Sequence, residues 1–237
     1  MRGKLIVIEG TGCSGKETQT KLLVDKLNQL KIKTKYFSFP CYDTPTGRIV
    51  GACYLGKKEL CEKYLANSGS WFAEGTGEVD GLVSSLYYAA DRKYNLKQVK
   101  ALLNNGVNVV LDRYTFSNMA HQGGKISTQE ERFQFFKKME VLEFDLLELP
   151  KPDYVILLYV PYKVTLNLLK TRVAEVNPNF IDVESLKRAE QTYLELRALY
   201  KFKMIECVDG GNMRTVSNIH EELLENVLDY LKFGNEV

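Results

Sequence analysis

Residues 5–16 read Leu5-Ile6-Val7-Ile8-Glu9-Gly10-Thr11-Gly12-Cys13-Ser14-Gly15-Lys16. A short apolar run gives way to a turn of small residues and then to a lysine that opens an amphipathic segment. Gly10 to Lys16 match G-x-x-x-x-G-K, and the context of buried strand, turn and helix predicts a phosphate-binding loop. Successive backbone N–H groups in such a turn converge on phosphate oxygens, and the helix N-terminus adds partial positive charge. The candidate triphosphate-binding residues are therefore Gly10, Thr11, Gly12, Cys13, Ser14, Gly15, Lys16, Glu17 and Thr18. Lys16 reaches the outer phosphates as a point charge, whereas Glu17 stands where the pattern expects a hydroxyl residue to hold magnesium.

Outward from this stretch, apolar strands alternate with amphipathic helices. Leu23, Leu27 and Leu30 recur at helical spacing after Lys16. Thr34 to Phe39 reads as a second strand ending at Pro40, and Val107 to Leu111 as a third after the Asn104-Asn105-Gly106 break. Tyr154 to Val160 is a fourth, bounded by prolines, and Met204 to Val208 a fifth, closed by Gly210-Gly211. A last helix buries Ile219, Leu223, Val227 and Leu231 on one face. Nearly continuous apolar strands separated by helices predict a parallel sheet covered on both sides. Ligands of such sheets gather beyond the carboxyl ends of the strands. The phosphate loop, Phe39-Pro40 and Asp112-Arg113 all fall there. Residues 66–81, with Gly69, Gly75, Gly77 and Gly81 around the only tryptophan, Trp71, read as a flexible inserted loop within one domain spanning 1–237.

The 237 residues are enough for a substantial core, and a net charge of +2 without a concentrated basic run predicts no nucleic-acid partner. Five cysteines (Cys13, Cys41, Cys53, Cys61 and Cys207) lack C-x-x-C pairing, which argues for reduced thiols and against a disulfide framework or structural zinc. Cys13 and Cys41 border the expected cleft, where a small buried thiol is the favoured reading over a redox one. No signal-peptide or membrane-spanning segment is present, so a soluble cytoplasmic protein is expected.

Asp112-Arg113-Tyr114 closes the third strand at the same cleft as the loop. A carboxylate there reaches a magnesium shell, and a guanidinium grips a second phosphate through two prongs; a local ion pair capping the next helix is the alternative. Tyr88 and Arg92, four apart on a predicted helix, share a face. One suits a base and the other a phosphate, although most tyrosines at this spacing are core.

The segments in order resemble the thymidylate kinase family of P-loop nucleoside monophosphate kinases. The matching stretches are Glu9-Gly10 to Gln19, Phe39-Pro40 with Thr44-Pro45-Thr46-Gly47, Tyr88-Ala89-Ala90-Asp91-Arg92, Asp112 to Gly123, and Leu149-Pro150-Lys151-Pro152-Asp153. The resemblance covers essentially the whole chain, and Asp-Arg-Tyr-x-x-Ser-x-x-Ala-x-Gln-Gly is its most discriminating part. It implies a three-layer α/β fold, a five-stranded parallel sheet of order 2-3-1-4-5 with helices on both faces. It also implies transfer of the terminal phosphoryl group of ATP to dTMP with Mg2+, in a homodimer. On that resemblance Lys16 holds the transferring phosphates, Asp112 acts in the outer shell of the metal, and Arg92 and Arg113 hold the acceptor phosphate. Tyr88 stacks on thymine, Phe39 and Pro40 line the pocket, Ser117 and Asn118 fall at the base edge, Gln122 is a further substrate-binding residue, and His121 crowds a ribose 2′-hydroxyl.

Four departures qualify the match. Gly12 replaces an acidic residue, Glu17 a hydroxyl residue, and Tyr42 an arginine of the acceptor side, leaving Arg92, Arg113 and Arg48 to compensate. The expected lid, 173–182, is poor in cations, so Arg172 just before it is the candidate catalytic arginine. Two alternatives follow: a deoxynucleoside monophosphate kinase of shifted specificity, or a weakly active nucleotide-binding or sensing protein on the same fold.

Overall fold

The computed structural model describes residues 2–65, 69–172 and 182–234. Strands β1 (Leu5–Gly10), β2 (Thr34–Ser38), β3 (Asn108–Asp112), β4 (Tyr154–Tyr159) and β5 (Lys203–Glu206) form one parallel sheet in the order β2-β3-β1-β4-β5. The expected order and helix coverage are therefore met. Helix α1 (Lys16–Gln29) follows the loop. The chain then passes through α2 (Pro45–Arg48), a π-helical stretch Ile49–Tyr54, α3 (Lys58–Tyr64) and α4 (Gly81–Asn104). Helices α5 (Thr115–Gly123) and α6 (Gln129–Glu140), the latter extended by π-helical Val141–Leu146, precede β4. Helices α7 (Tyr162–Arg172), α8 (Val183–Tyr200) and α9 (Val216–Phe233) complete the order.

The side-chain period of two in a strand divides the core into two layers. On one face Ile6 and Ile8 meet Leu23 and Leu27 of α1 and Leu223 and Val227 of α9. On the other, Leu5 and Val7 meet Leu96, Val99 and Leu103 of α4. A third apolar cluster joins α5, α6 and α8 through Phe116, Met119, Phe136, Met139 and Leu196.

Two local expectations need correction. Leu30 does not join the buried face of α1: it is 46% exposed, because the helix ends at Gln29 and the chain turns away through Lys31 at φ 64°. The fifth strand ends at Glu206, and Val208 instead starts a two-residue hairpin, β6 (Val208–Asp209) with β7 (Asn212–Met213). Gly210 and Gly211, both at positive φ, supply the left-handed pair that a two-residue turn of matching twist requires.

Strand register brings the chemistry to one edge. Asp112 lies opposite both Ile8 and Ser38. Arg113 N donates to Ile8 O at 3.1 Å and Phe39 N to Asp112 O at 3.2 Å, so three chain segments leave the sheet level with one another.

Candidate active site

The phosphate loop is held from two sides. Thr11 Oγ1 donates to Val160 O (2.8 Å) and accepts from Val160 N (2.9 Å), tying the loop to the end of β4. Thr165 Oγ1 of α7 donates to Gly12 O at 3.0 Å. Cys13 and Gly15 take left-handed backbone conformations, φ 55° and 73°, and the amides of the first turn of α1 have no intrahelical acceptors. Lys16 is buried, and its ammonium donates to Gly10 O (2.9 Å), Thr11 O (2.8 Å) and Ser14 Oγ (3.2 Å). Burial, and then the charge of Arg113, push its pKa down to about 7 against the opposing pull of Asp112 and Glu9. Glu17 points outward and pairs with Lys21 at 2.5 Å, and Thr18 is exposed beside it. The position of the usual hydroxyl therefore carries a solvent-facing ion pair.

Glu9 organises the turn after β3. It is fully buried and accepts from Tyr114 N (2.9 Å), Ser117 N (3.0 Å), Ser117 Oγ (2.5 Å) and Tyr193 OH (3.1 Å). Burial raises its pKa against these donors and the Arg113 charge. The carboxylate thus clamps the first turn of α5, and with it Arg113, which sits at φ 68° with Nη1 3.3 Å from Ser117 Oγ. Asp112 and Arg113 form no ion pair with each other among the described residues, so the capping alternative fails. Asp112 Oδ1 is instead buried without a partner, and burial raises its pKa against the charges of Lys16 and Arg113.

Beyond Arg113 opens a cavity of about 340 Å³. It brings together all ten residues expected on the acceptor side: Phe39, Pro40, Tyr42, Tyr88, Arg92, Arg113, Ser117, Asn118, His121 and Gln122. Residues 117, 118, 121 and 122 share one face of α5 by helical spacing, as 88 and 92 do on α4. The Tyr88 phenol, edge-on to Tyr54 at 5.8 Å, has a pKa raised by burial. His121 keeps an exposed surface where it lines the cavity; desolvation by the surrounding protein, then the Arg113 and Lys16 charges, lower its pKa and favour the neutral imidazole. Asn118 and Gln122 are buried, and Asn118 Oδ1 and Gln122 Oε1 have no hydrogen-bond partner among the described residues.

Several functional side chains escaped the sequence. Glu143, fully buried, accepts from Arg92 Nε (2.6 Å) and Arg92 Nη2, and from Asn118 Nδ2 (3.3 Å). It leaves Arg92 Nη1 for a ligand. Asp91 accepts from Cys41 N (2.8 Å), Thr46 Oγ1 (2.9 Å) and Asn95 Nδ2 (3.0 Å), which fixes the turn after β2 against α4. Within that turn a Cβ on Gly47 would lie 1.8 Å from Cys41 O, so only glycine fits. The one legible signal was the carboxylate of Glu9 closing an otherwise apolar run.

Other expectations fall elsewhere. Arg48 does not line the cavity: its guanidinium lies 4.4 Å over the Tyr64 ring and donates to Asp43 O. Cys41 donates to Ser38 O, and burial with two neighbouring aspartates pushes its pKa up to about 12, which disfavours the reactive thiolate. The Arg172 side chain and lid residues 173–181 lie outside the described residues. No helix of the described residues is long and apolar enough to cross a membrane.

Comparison with known proteins agrees with this geometry. The family model described as thymidylate kinase matches residues 8–218. A thymidylate kinase of Plasmodium falciparum is 28% identical over 226 residues, 95% of this chain and 90% of that protein. One from Brachyspira hyodysenteriae is 33% identical over 168 residues, covering 70% and 68%. The solved thymidylate kinase of Candida albicans superposes with a TM-score of 0.64 at 24% identity, over 96% of this chain and 92% of that one, a likeness of fold. With the family model spanning residues 8–218, the chain belongs to the thymidylate kinase family.

Proposed function

We propose that the protein transfers the terminal phosphoryl group of ATP to dTMP, yielding ADP and dTDP. What carries the reading is the pair of buried, unpartnered amide oxygens, Asn118 Oδ1 and Gln122 Oε1, in a cavity walled by Tyr88, Arg92 and Arg113. A buried acceptor without a donor is costly. The N3–H of thymine is the donor such a pair calls for, and Glu143, by accepting from Asn118 Nδ2, orients that amide. The Tyr88 ring suits the face of the base, and His121 crowds a 2′-hydroxyl.

Phosphoryl transfer asks for alignment and charge neutralisation, with little covalent help from the protein. Lys16 and the loop amides hold the donor phosphates, and Arg92 Nη1 with Arg113 holds the acceptor phosphate. Arg113, whose charge is felt at Lys16, stands between the two halves. Among the described residues no cluster of three or more His, Cys, Asp or Glu forms a metal cage, which suits a cation arriving with the triphosphate. The unpartnered buried Asp112 Oδ1 fits the water shell of such an ion. Magnesium, when bound, supplies charge neutralisation on the β- and γ-phosphates.

The protein also pairs with a second copy in this reading. Leu82, Leu86, Ala90 and Tyr94 recur every four residues as an exposed stripe on α4, opposite the face that carries Arg92.

The test is a panel of dTMP, dUMP, dCMP, dGMP and AMP with ATP and Mg2+. dTMP is expected to show the highest kcat/KM. Preference for dCMP, dGMP or AMP would overturn the base assignment, and tight dTMP binding without turnover would make the protein a nucleotide sensor.

A further inference from the structure

The glycine-rich segment 69–80 has no part in the chemistry above, yet its middle stands at the cavity. The segment is tethered at its start by Ser70 Oγ on Tyr54 O (2.6 Å), Trp71 N on Cys53 O (2.8 Å) and Phe72 edge-on to Tyr54 (5.5 Å). At its end, Val79 is buried and Asp80 caps α4 through Leu82 N and Val83 N. Thr76 and Gly77, between these anchors, line the cavity together with Asn118, His121 and Gln122. Tyr54 OH donates to Thr76 O at 3.4 Å, and a second side chain makes the closer tie. Lys125 Nζ donates to Thr76 O (3.1 Å) and Val79 O (2.7 Å). Lys125 lies just past the end of α5, whose side chains face the base position, and itself lines the cavity. It therefore joins the base-reading helix to the wall across from it. Thr76 Oγ1 makes no hydrogen bond among the described residues and is left for a ligand.

We propose that Lys125 is a positioning residue that holds Thr76-Gly77 as a wall of the acceptor cavity and thereby sets how tightly the nucleoside monophosphate is held. The proposal rests on reading that cavity as the acceptor site. Two charge-assisted hydrogen bonds from one ammonium are strong ties in a segment with four glycines nearby. Their loss loosens the wall, which keeps only the longer 3.4 Å side-chain bond from Tyr54 OH to Thr76 O, without touching the phosphate loop.

The substrate panel is run first, so that the best acceptor of the wild type is known whether or not it is dTMP; a different acceptor overturns the dTMP assignment and leaves the wall to be judged on that acceptor. Lys125→Met is expected to raise the acceptor KM about ten-fold, with kcat and the ATP KM changed by less than about three-fold, and Lys125→Arg to recover most of the loss. Trp71, 69% exposed and the only tryptophan, reports on the segment, and its quenching by acrylamide is expected to rise in Lys125→Met. An unchanged acceptor KM, even with increased quenching, would overturn the proposal, as would an equal rise in the ATP KM. Should Lys125→Met fail to fold, Gly77→Val decides. A Cβ there meets no atom within 4 Å, so the variant folds and adds bulk to the wall. A raised acceptor KM with an unchanged ATP KM supports the wall, and an unchanged acceptor KM removes it.

Discussion

Lys16 is 7% exposed, with its ammonium turned onto the carbonyls of its own loop. Burial and the neighbouring Arg113 charge bring its pKa from 10.5 down to about 7. Polyphosphate oxygens beside it favour the charged form, so the bound-state pKa lies above the free-state one and binding takes up protons. The sign follows: affinity for the donor nucleotide is fully present below the free-state value of about 7 and declines as pH rises through and beyond it. Titration of ADP with Mg2+ by calorimetry, in two buffers of unlike ionisation enthalpy, measures that uptake directly. Fractional proton uptake near about pH 7.5, and affinity falling several-fold toward about pH 8.5, are expected. A pH-independent affinity with no buffer dependence would mean that the lysine is already charged in the free protein. The same residue shows why a motif is an incomplete description: G-x-x-x-x-G-K announces the lysine, but its lowered proton affinity comes first from burial in the folded site and then from Arg113, almost a hundred residues away.

At the scale of elements, α7 and the start of α8 press on the phosphate loop. The resemblance called for a carboxylate at position 12, yet a Cβ on Gly12 would lie 3.0 Å from Thr165 Cγ2 and 3.7 Å from Leu186 Cδ2. Gly12→Asp is therefore expected to cost about 1–3 kcal/mol of stability through overpacking. Thr165→Ser removes the obstructing methyl while keeping the hydroxyl that donates to Gly12 O, so the double variant recovers most of that loss. Urea unfolding of the four proteins of the cycle checks this, and strictly additive losses would show that the methyl is not the obstacle. What the sequence made legible, and what it did not, divides along the same line. Nearly continuous apolar strands, the turn of small residues and the helix after it are local patterns, and they placed five strands and, at one edge, the phosphate loop, Phe39-Pro40 and Asp112-Arg113; the α5 residues of the cavity came from the family resemblance. Glu9 with Ser117, Arg92 with Glu143 and Lys125 with Thr76 are pairs separated by 108, 51 and 49 residues. No periodicity marks which buried acid will meet which donor once the sheet has closed. The Gly210-Gly211 turn was visible, but its reversal of the chain into a hairpin depended on both residues taking positive φ.

Over the whole molecule, α4 carries two unlike faces. One presents Tyr88 and Arg92 to the cavity, and Asp91 to the turn after β2. The other exposes Leu82, Val83, Leu86 and Tyr94, large apolar side chains with relative exposures of 47%, 40%, 49% and 58%. A contiguous apolar stripe of this kind on a long helix is the usual mark of a protein interface. A second copy meeting it across a two-fold axis would place α4 against its own counterpart. The helix that holds the acceptor side would then be braced from behind by the partner, and the two cavities would share one rigid unit. Leu86→Glu places a charge at the middle of the stripe. Because Leu86 is half exposed, folding of the single chain is expected to be nearly unaffected, while charge repulsion across the axis opens the pair. Light scattering after gel filtration is expected to give the mass of two chains for the wild type and of one for the variant. Loss of the brace predicts a several-fold rise in the dTMP KM, with the ATP KM unchanged because the phosphate loop lies on other elements. A variant that remains a dimer, or a wild type that is already monomeric, would assign the stripe no role in pairing. A monomer with wild-type kinetics would mean that each cavity works alone and that the interface serves stability only.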